Sequence, residues 1–322
     1  MLPIDKAQWE VITAAEHGVV QAQCILAMSY AKGDGVEKDP AEAAKWFSAA
    51  AEQGNAVAQY YLAGMYRKGL GVEEDPRQAI FWYRKSANHK YAPAQYQLGL
   101  MYSMGFGVTP DDSKAFEWIL RAADLDYGEA NYRLGVMFDS GHGVPQDPAR
   151  AYAWFLRGAE NGHAMAQYQA AKCYDVGIGV EADIRQALYW YEESAKQGVA
   201  IAQHALGVKH SEGREVPADL KQSVKWFKKA AEQGYVDAQY RLGKIYELGG
   251  EGVAKNMYKA DMWYSAAVSG GSDLAKNART VLEFKMPEDR VLEARYEARQ
   301  LNKTLRDKEV AELGKVDYLP FY

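Results

Sequence analysis

Apolar and small residues recur along this chain at three- and four-residue steps, in short runs closed by glycine. One run reads Ala43, Trp46, Phe47, Ala50, Ala51, and its counterpart reads Ala79, Trp82, Tyr83, Ser86, Ala87. Such a stripe is the buried face of a 3.6-residue helix. The tryptophans set a longer period: Trp9, Trp46, Trp82, Trp118, Trp154, Trp190, Trp226 and Trp263 are spaced 37, 36, 36, 36, 36, 36 and 37. A fixed period of that length is the signature of stacked supersecondary units. Seven residues before each Trp from the second onward stands Asp39, Asp75, Asp111, Asp147, Asp183, Asp219 or Asn256. Asp and Asn accept hydrogen bonds from the free N–H groups of a first helical turn, and Pro40, Pro76 and Pro148 suit the first helical position. Each therefore predicts the N-cap of a Trp-bearing helix. Gly54, Gly162, Gly198 and Gly234 predict its end. Lys90 and Asp126 hold that place in two copies, where another solution to the turn is expected.

A second helix follows each of these turns. Its columns are Ala22, Ala58, Ala94, Ala130, Ala166, Ala202 and Ala238, then Leu26, Leu62, Leu98, Leu134, Ala170, Leu206 and Leu242. Tyr30, Tyr66, Tyr102, Phe138, Tyr174, His210 and Tyr246 come four residues later, on the same face. A small residue between them (Ala27, Ala63, Gly99, Gly135, Ala171, Gly207, Gly243) is expected to admit a neighbouring backbone. Gly-x-Gly-Val closes the helix at 33–36, 69–72, 105–108, 141–144 and 177–180. A phosphate loop would need a strand before the glycines. Here they follow a helix and repeat, which predicts a tight turn.

The copy Ala92 to Gly107, APAQYQLGLMYSMGFG, with the capping Asp and the Trp beyond it, resembles the SEL-1-like repeat, a relative of the tetratricopeptide repeat. The resemblance implies an all-α fold, a right-handed α-α superhelical solenoid of about seven repeats over 19–271. Residues 1–18 would form an N-terminal half-repeat cap carrying Trp9, and 272–322 C-terminal capping helices with an aromatic tail. It also implies a non-enzymatic scaffold, of bacterial type, binding a protein or peptide on its concave groove. Other members of such a family offer two alternatives: a small-molecule binder or weak enzyme of the β-lactam-binding type, and an accessory protein in secretion or toxin neutralisation. The first would be expected to bring disulfides and a polar pocket, and the chain has only Cys24 and Cys173.

In this kind of repeat the first helix lines the concave face. Excluding core columns leaves positions three and seven after its first Ala: Ile25, Tyr61, Gln97, Arg133, Gln169, Ala205, Arg241, then Ser29, Met65, Met101, Met137, Cys173, Lys209, Ile245. Tyr61, Met65, Gln97, Met101, Arg133, Gln169, Lys209 and Arg241 are the candidate partner-binding residues. Adaptable methionines suit a peptide surface, and packing between adjacent repeats is the competing reading for that column. The near-constant Gln23, Gln59, Gln95, Asn131, Gln167, Gln203 and Gln239 predict a backbone hydrogen bond inside the fold. The sixth repeat departs from the pattern at His204, Lys209, His210, Arg214, Glu215 and Ser223.

Residues 287–313 predict a charged helix with Val291, Ala294, Ala298, Leu301 and Leu305 in a narrow seam. It reads as a cap on the last repeat, with a weak self-associating coiled coil as the alternative. The apolar tail Tyr318, Leu319, Pro320, Phe321, Tyr322 is either packed on that helix or a ligand for a groove.

Net charge is −5 with both signs interspersed, so no basic stripe suits nucleic acid. Nothing approaches the ~20 apolar residues of a membrane span. Two distant cysteines and an N-terminus carrying Asp5 and Glu10 point to the cytoplasm, or to the periplasm or exterior if an export signal was removed. The six histidines form no metal-ligand spacing and no GxSxG elbow occurs, so no catalytic, cofactor or metal site is expected.

Overall fold

The computed structural model describes residues 6–213 and 216–316. Arg214 and Glu215 of the sixth repeat and the aromatic tail lie outside the described residues. Seventeen helices and no strands are found among those described. One compact unit runs from α1 (Lys6–Glu16) through the pairs α2 (Val20–Lys32) and α3 (Pro40–Glu52), α4 (Ala56–Lys68) and α5 (Pro76–Asn88), and α6 (Ala92–Met104) and α7 (Asp112–Asp124), to α8 (Gly128–Ser140). A second unit, residues 148–313, begins at α9 (Pro148–Glu160). It continues through α10 (Ala164–Val176) and α11 (Ile184–Lys196), α12 (Ala200–Glu212) and α13 (Leu220–Ala231), and α14 (Val236–Leu248) and α15 (Met257–Ser269). α16 (Asp273–Glu283) and α17 (Glu288–Val316) close the series.

The caps fall where the sequence places them. Asp39 accepts from the backbone N–H of Ala41 and Glu42, Asp75 from Arg77 and Gln78, Asp183 from Arg185 and Gln186, and Asn256 from Lys259. At the opposite end of this helix the left-handed turn of Gly54 (φ 88°) is kept at Lys90 and Asp126, both at φ 58°. The expected alternative turn is not used: packing on both sides fixes the chain path, and the side chain bears the cost. Lys90 is exposed, and a left-handed non-glycine residue costs about 1 kcal/mol. Lys90→Gly is therefore expected to stabilise the chain by about 1 kcal/mol in chemical denaturation. An unchanged or lower midpoint would show that the left-handed lysine carries no such cost.

The Gly-x-Gly turns seat one copy on the preceding one. A Cβ on Gly71 would lie 2.0 Å from the carbonyl oxygen of Pro40, and one on Gly179 2.1 Å from that of Pro148. The turn thus rests on the first residue of the Trp-bearing helix before it.

In each copy the residue after the Trp points into the core. Phe47, Tyr83, Ile119, Phe155, Tyr191, Phe227 and Tyr264 are all buried. The indoles sit at the rim of the core: Trp82, Trp190 and Trp263 are buried, Trp46, Trp118, Trp154 and Trp226 are half-buried, and Trp9 is 60% exposed. Cations lie over several of these rims, Lys85 on Trp82, Arg121 on Trp118, Arg157 on Trp154 and Lys229 on Trp226. Each sits three residues on from its indole, within reach on one helix face. The small-residue column makes room for the buried ring. A Cβ on Gly207 would meet the Phe227 ring at 2.5 Å, one on Gly243 the Tyr264 ring at 2.4 Å, and one on Gly99 the Ile119 side chain at 2.4 Å. A side chain, more than a backbone, is what that column admits.

The glutamine column links successive copies as expected. The Nε2 of Gln23, Gln59, Gln95, Gln167, Gln203 and Gln239 donates to the carbonyl of Ala15, Ala51, Ala87, Ala159, Ala195 and Ala231. In three copies the turn glutamine (Gln53, Gln197, Gln233) donates to the free oxygen of the column residue 30 positions before it. Where that turn position is His89, Leu125 or Gly270, the oxygens of Gln59, Gln95 and Gln239 are buried without a partner. Asn131 is one methylene shorter, and neither of its amide atoms finds a partner.

At the C-terminus, Val291, Ala294 and Ala298 of α17 are buried, and Leu301 packs beside Ala298 against Phe227, Ala238, Leu242 and Trp263. The seam thus packs on side chains of the last two repeats.

Candidate functional site

Each candidate residue is placed by its height on the first helix of its copy. In the first unit Ile25 is exposed, and Gln97 and Arg133 are half-buried. Tyr61 is 7% exposed, its ring 5.2 Å from Phe47 and 5.4 Å from Tyr60. Burial pushes its phenol well above the ordinary range. Met65, Met101 and Met137 are buried as well. Met137 shows why: its methyl lies 3.3 Å from where a Gly143 Cβ would stand, so the glycine turn folds over the side chain. The methionine column packs in the core, and Tyr61 belongs with it.

In the second unit Gln169, Ala205 and Arg241 are half-buried, and Cys173 is buried. Lys209 points inward, its Nζ 2.5 Å from Asp175 Oδ1, with the two side chains 14% and 17% exposed. Asp175 also accepts from the Tyr191 hydroxyl at 3.2 Å. The sixth repeat's polar substitutions are thus largely absorbed by the fold. His204 stacks between Phe227 and Tyr235, with centroids 5.4 and 5.0 Å away. Burial, then the Arg241 charge, holds its imidazole below the ordinary range. Ser223 donates to the Gly207 carbonyl at 2.8 Å.

The structure brings Arg241 and Ile245 together with two residues that the two-column reading did not include, Lys244 and Leu248. All four line a cavity of about 240 Å³ on α14, floored by Leu220 and Phe227 of α13. The 241, 244, 245, 248 spacing is itself one face of a helix, and that is the signal that would have found them. Leu248 is 67% exposed at the cavity mouth. Among the described residues no three His, Cys, Asp or Glu side chains converge on one point. No single helix among them is long and apolar enough to cross a membrane.

The repeat model described as Sel1 repeat matches residues 20–55, 56–91, 92–127, 128–163, 164–199, 200–235 and 236–272. Among solved structures, the chain is similar to c5321, a protective antigen of uropathogenic Escherichia coli strains displaying an SLR fold. The identity is 33% and the TM-score 0.76, over 90% of this chain and 63% of that one. It is also similar to a Sel1 repeat protein from Oxalobacter formigenes, at 38% identity and TM-score 0.69, over 84% and 78% of the two chains. This chain thus spans somewhat less than two thirds of the length of the E. coli antigen. No curated protein matches it. Seven contiguous matches, each of one helix pair closed by the same turns, establish that the chain belongs to the Sel1 repeat family.

Proposed function

We propose that this chain is a scaffold that holds a peptide segment or protein surface on the first helices of its repeats. Gln97 and Arg133 would make contact in the first unit, and Gln169 and Arg241 in the second. Sel1 repeat proteins are generally protein-interaction scaffolds. The observation that carries the reading to these residues is their variation. Isoleucine, tyrosine, glutamine, arginine and alanine exchange at this one position, while the columns on either side are tyrosine in five copies and leucine in six of the seven. Outside the second copy, where Tyr61 is buried, the fold demands no one residue type there, so the position is free to serve a partner. Tyr61, Met65, Met101 and Lys209 support the surface from beneath.

Peptide-display selection on the purified chain, followed by hydrogen exchange with a selected peptide, tests this. Protection is expected on α6 and α8 or on α10 and α14. For peptides bound to the first unit, Arg133→Glu should weaken affinity about tenfold with unchanged melting. Selected peptides that protect only the Trp-bearing helices would overturn the reading.

A further inference from the structure

The α14 cavity has a chemical bias that specifies its occupant more narrowly. Two cations, Arg241 and Lys244, stand over a wall made by Leu220, Phe227, Ile245 and Leu248, and no carboxylate lines the space. Among the described residues neither cation takes part in an ion pair or hydrogen bond, whereas Lys209 of the preceding repeat is paired with Asp175. Asp237, one turn before Arg241, makes no ion pair with it, and its charge acts on the imidazole of His204. Leu248 is held open to solvent at the mouth. A cation needs no buried apolar wall to be solvated, and an exposed leucine gains nothing from a cation. An occupant carrying a carboxylate beside a large apolar side chain satisfies both at once, by charge pairing in a partly desolvated site and by apolar burial.

Resting on the scaffold reading above, we infer that the α14 cavity is a docking site for a peptide that presents a carboxylate next to a bulky apolar residue. A cavity of 240 Å³ takes one such side chain, so the contact is a single anchor within a longer segment. The carboxylate can come from an Asp or Glu side chain or from a chain terminus, and the probes below separate these sources.

Four acetylated peptides would be titrated into the full chain by fluorescence anisotropy at low and physiological salt. They are Glu-Glu-Leu-Phe amide, Gln-Gln-Leu-Phe amide, Gln-Gln-Leu-Phe with a free C-terminus, and Glu-Glu-Gly-Gly amide. The first or the third, or both, should bind at least tenfold tighter than the second and fourth, and the preference should shrink as salt rises. Binding by the first alone assigns the carboxylate to a side chain, and by the third alone to a terminus. The double variant Arg241→Gln with Lys244→Gln should lose about tenfold in affinity without a change in melting, since neither cation has a partner to lose. Leu248→Ser should weaken binding and keep the salt dependence. Equal affinity for the charged and neutral Leu-Phe peptides, or wild-type affinity in the double variant, would overturn the inference. If display-selected peptides still protect α6, α8 or α10 in that event, the scaffold reading stands and only this site is lost.

Discussion

Truncating Phe227 to alanine is expected to destabilise the chain by about 3–5 kcal/mol, and truncating its neighbour Trp226 by clearly less. The ring of Phe227 is fully buried and fills the space opened by Gly207 on the facing helix. It meets His204 on one side and takes part in the cluster with Ala230, Ala238, Leu242 and Trp263. Removing it leaves a cavity that backbone packed on two sides cannot close. Trp226 is larger, but part of it already faces solvent and Lys229 lies 4.6 Å from its ring centroid. Truncation there removes partly hydrated surface and creates no hole. Because repeat contacts run between neighbours, faster exchange in Phe227→Ala should be greatest in α12, α13 and α14 and fade towards α9. Equal losses for the two variants, or uniform deprotection through the second unit, would contradict this account. Gly207→Ala approaches the same contact from the other helix and should also destabilise, because the added methyl drives into the ring.

That asymmetry marks where sequence and structure part. Period, caps and the C-terminal seam are written in residue types whose physics is local: Asp39 can cap only the turn beside it, and Val291, Ala294 and Ala298 share a face whatever they pack on. The glutamine bond was legible because a polar side chain held constant among apolar columns must be satisfied inside. Depth was not legible. Trp46 and Phe47 both belong to the apolar stripe, and which one points at the core depends on the angle at which the paired helix crosses. The same limit put Tyr61 among surface candidates and left Met65 and Met101 between a surface and a packing reading, since offsets of three and seven residues do not reveal depth. Lys209 looked like a break in the array because its partner Asp175 lies 34 residues away. Lys90 misled in the other direction: intrinsic preference argues against a left-handed lysine, and the fold imposes one.

Asp261→Asn is expected to stabilise the second unit at pH 8 by on the order of 2–4 kcal/mol and to flatten its stability between pH 4 and 7. The position is apolar in the other copies, where Ala44, Ile80, Phe116, Tyr152, Leu188 and Val224 occupy it. Here a carboxyl is fully buried, and neither oxygen has a hydrogen-bond donor. On α16, Arg279 and Glu283 face it, and from α17 Arg295 reaches Glu283 with two hydrogen bonds of 2.9 and 2.6 Å. The guanidinium of Arg295 is thus committed to Glu283, while Asp261 meets a second carboxylate. Burial, then the Glu283 charge, pushes Asp261 up to about 7, against the partial opposition of Arg279 and Arg295. Protonated, it can give its O–H to Glu283; ionised, it is a buried charge without a donor. The sign follows from the raised value: the folded state holds this proton more tightly than the unfolded chain, whose carboxyl titrates near ~3.9. Its contribution is full below pH ~4 and is lost as pH rises through about 7. His204 acts oppositely, because its lowered value favours the folded state above pH ~6.5 and withdraws that support as pH falls. Denaturation midpoints from pH 4 to 8 for the native chain, Asp261→Asn and His204→Tyr separate the two groups. Asn keeps the shape of Asp and donates an N–H to Glu283 at every pH, so a slope between pH 4 and 7 as steep as the native one would remove Asp261 as its source. Local hydrogen exchange supplies the second readout, since the carboxyl lies where α15, α16 and α17 meet. At pH 8 the native chain should exchange faster in α16 and α17 than at pH 5.5, after correction for the intrinsic rate, and Asp261→Asn should abolish that difference.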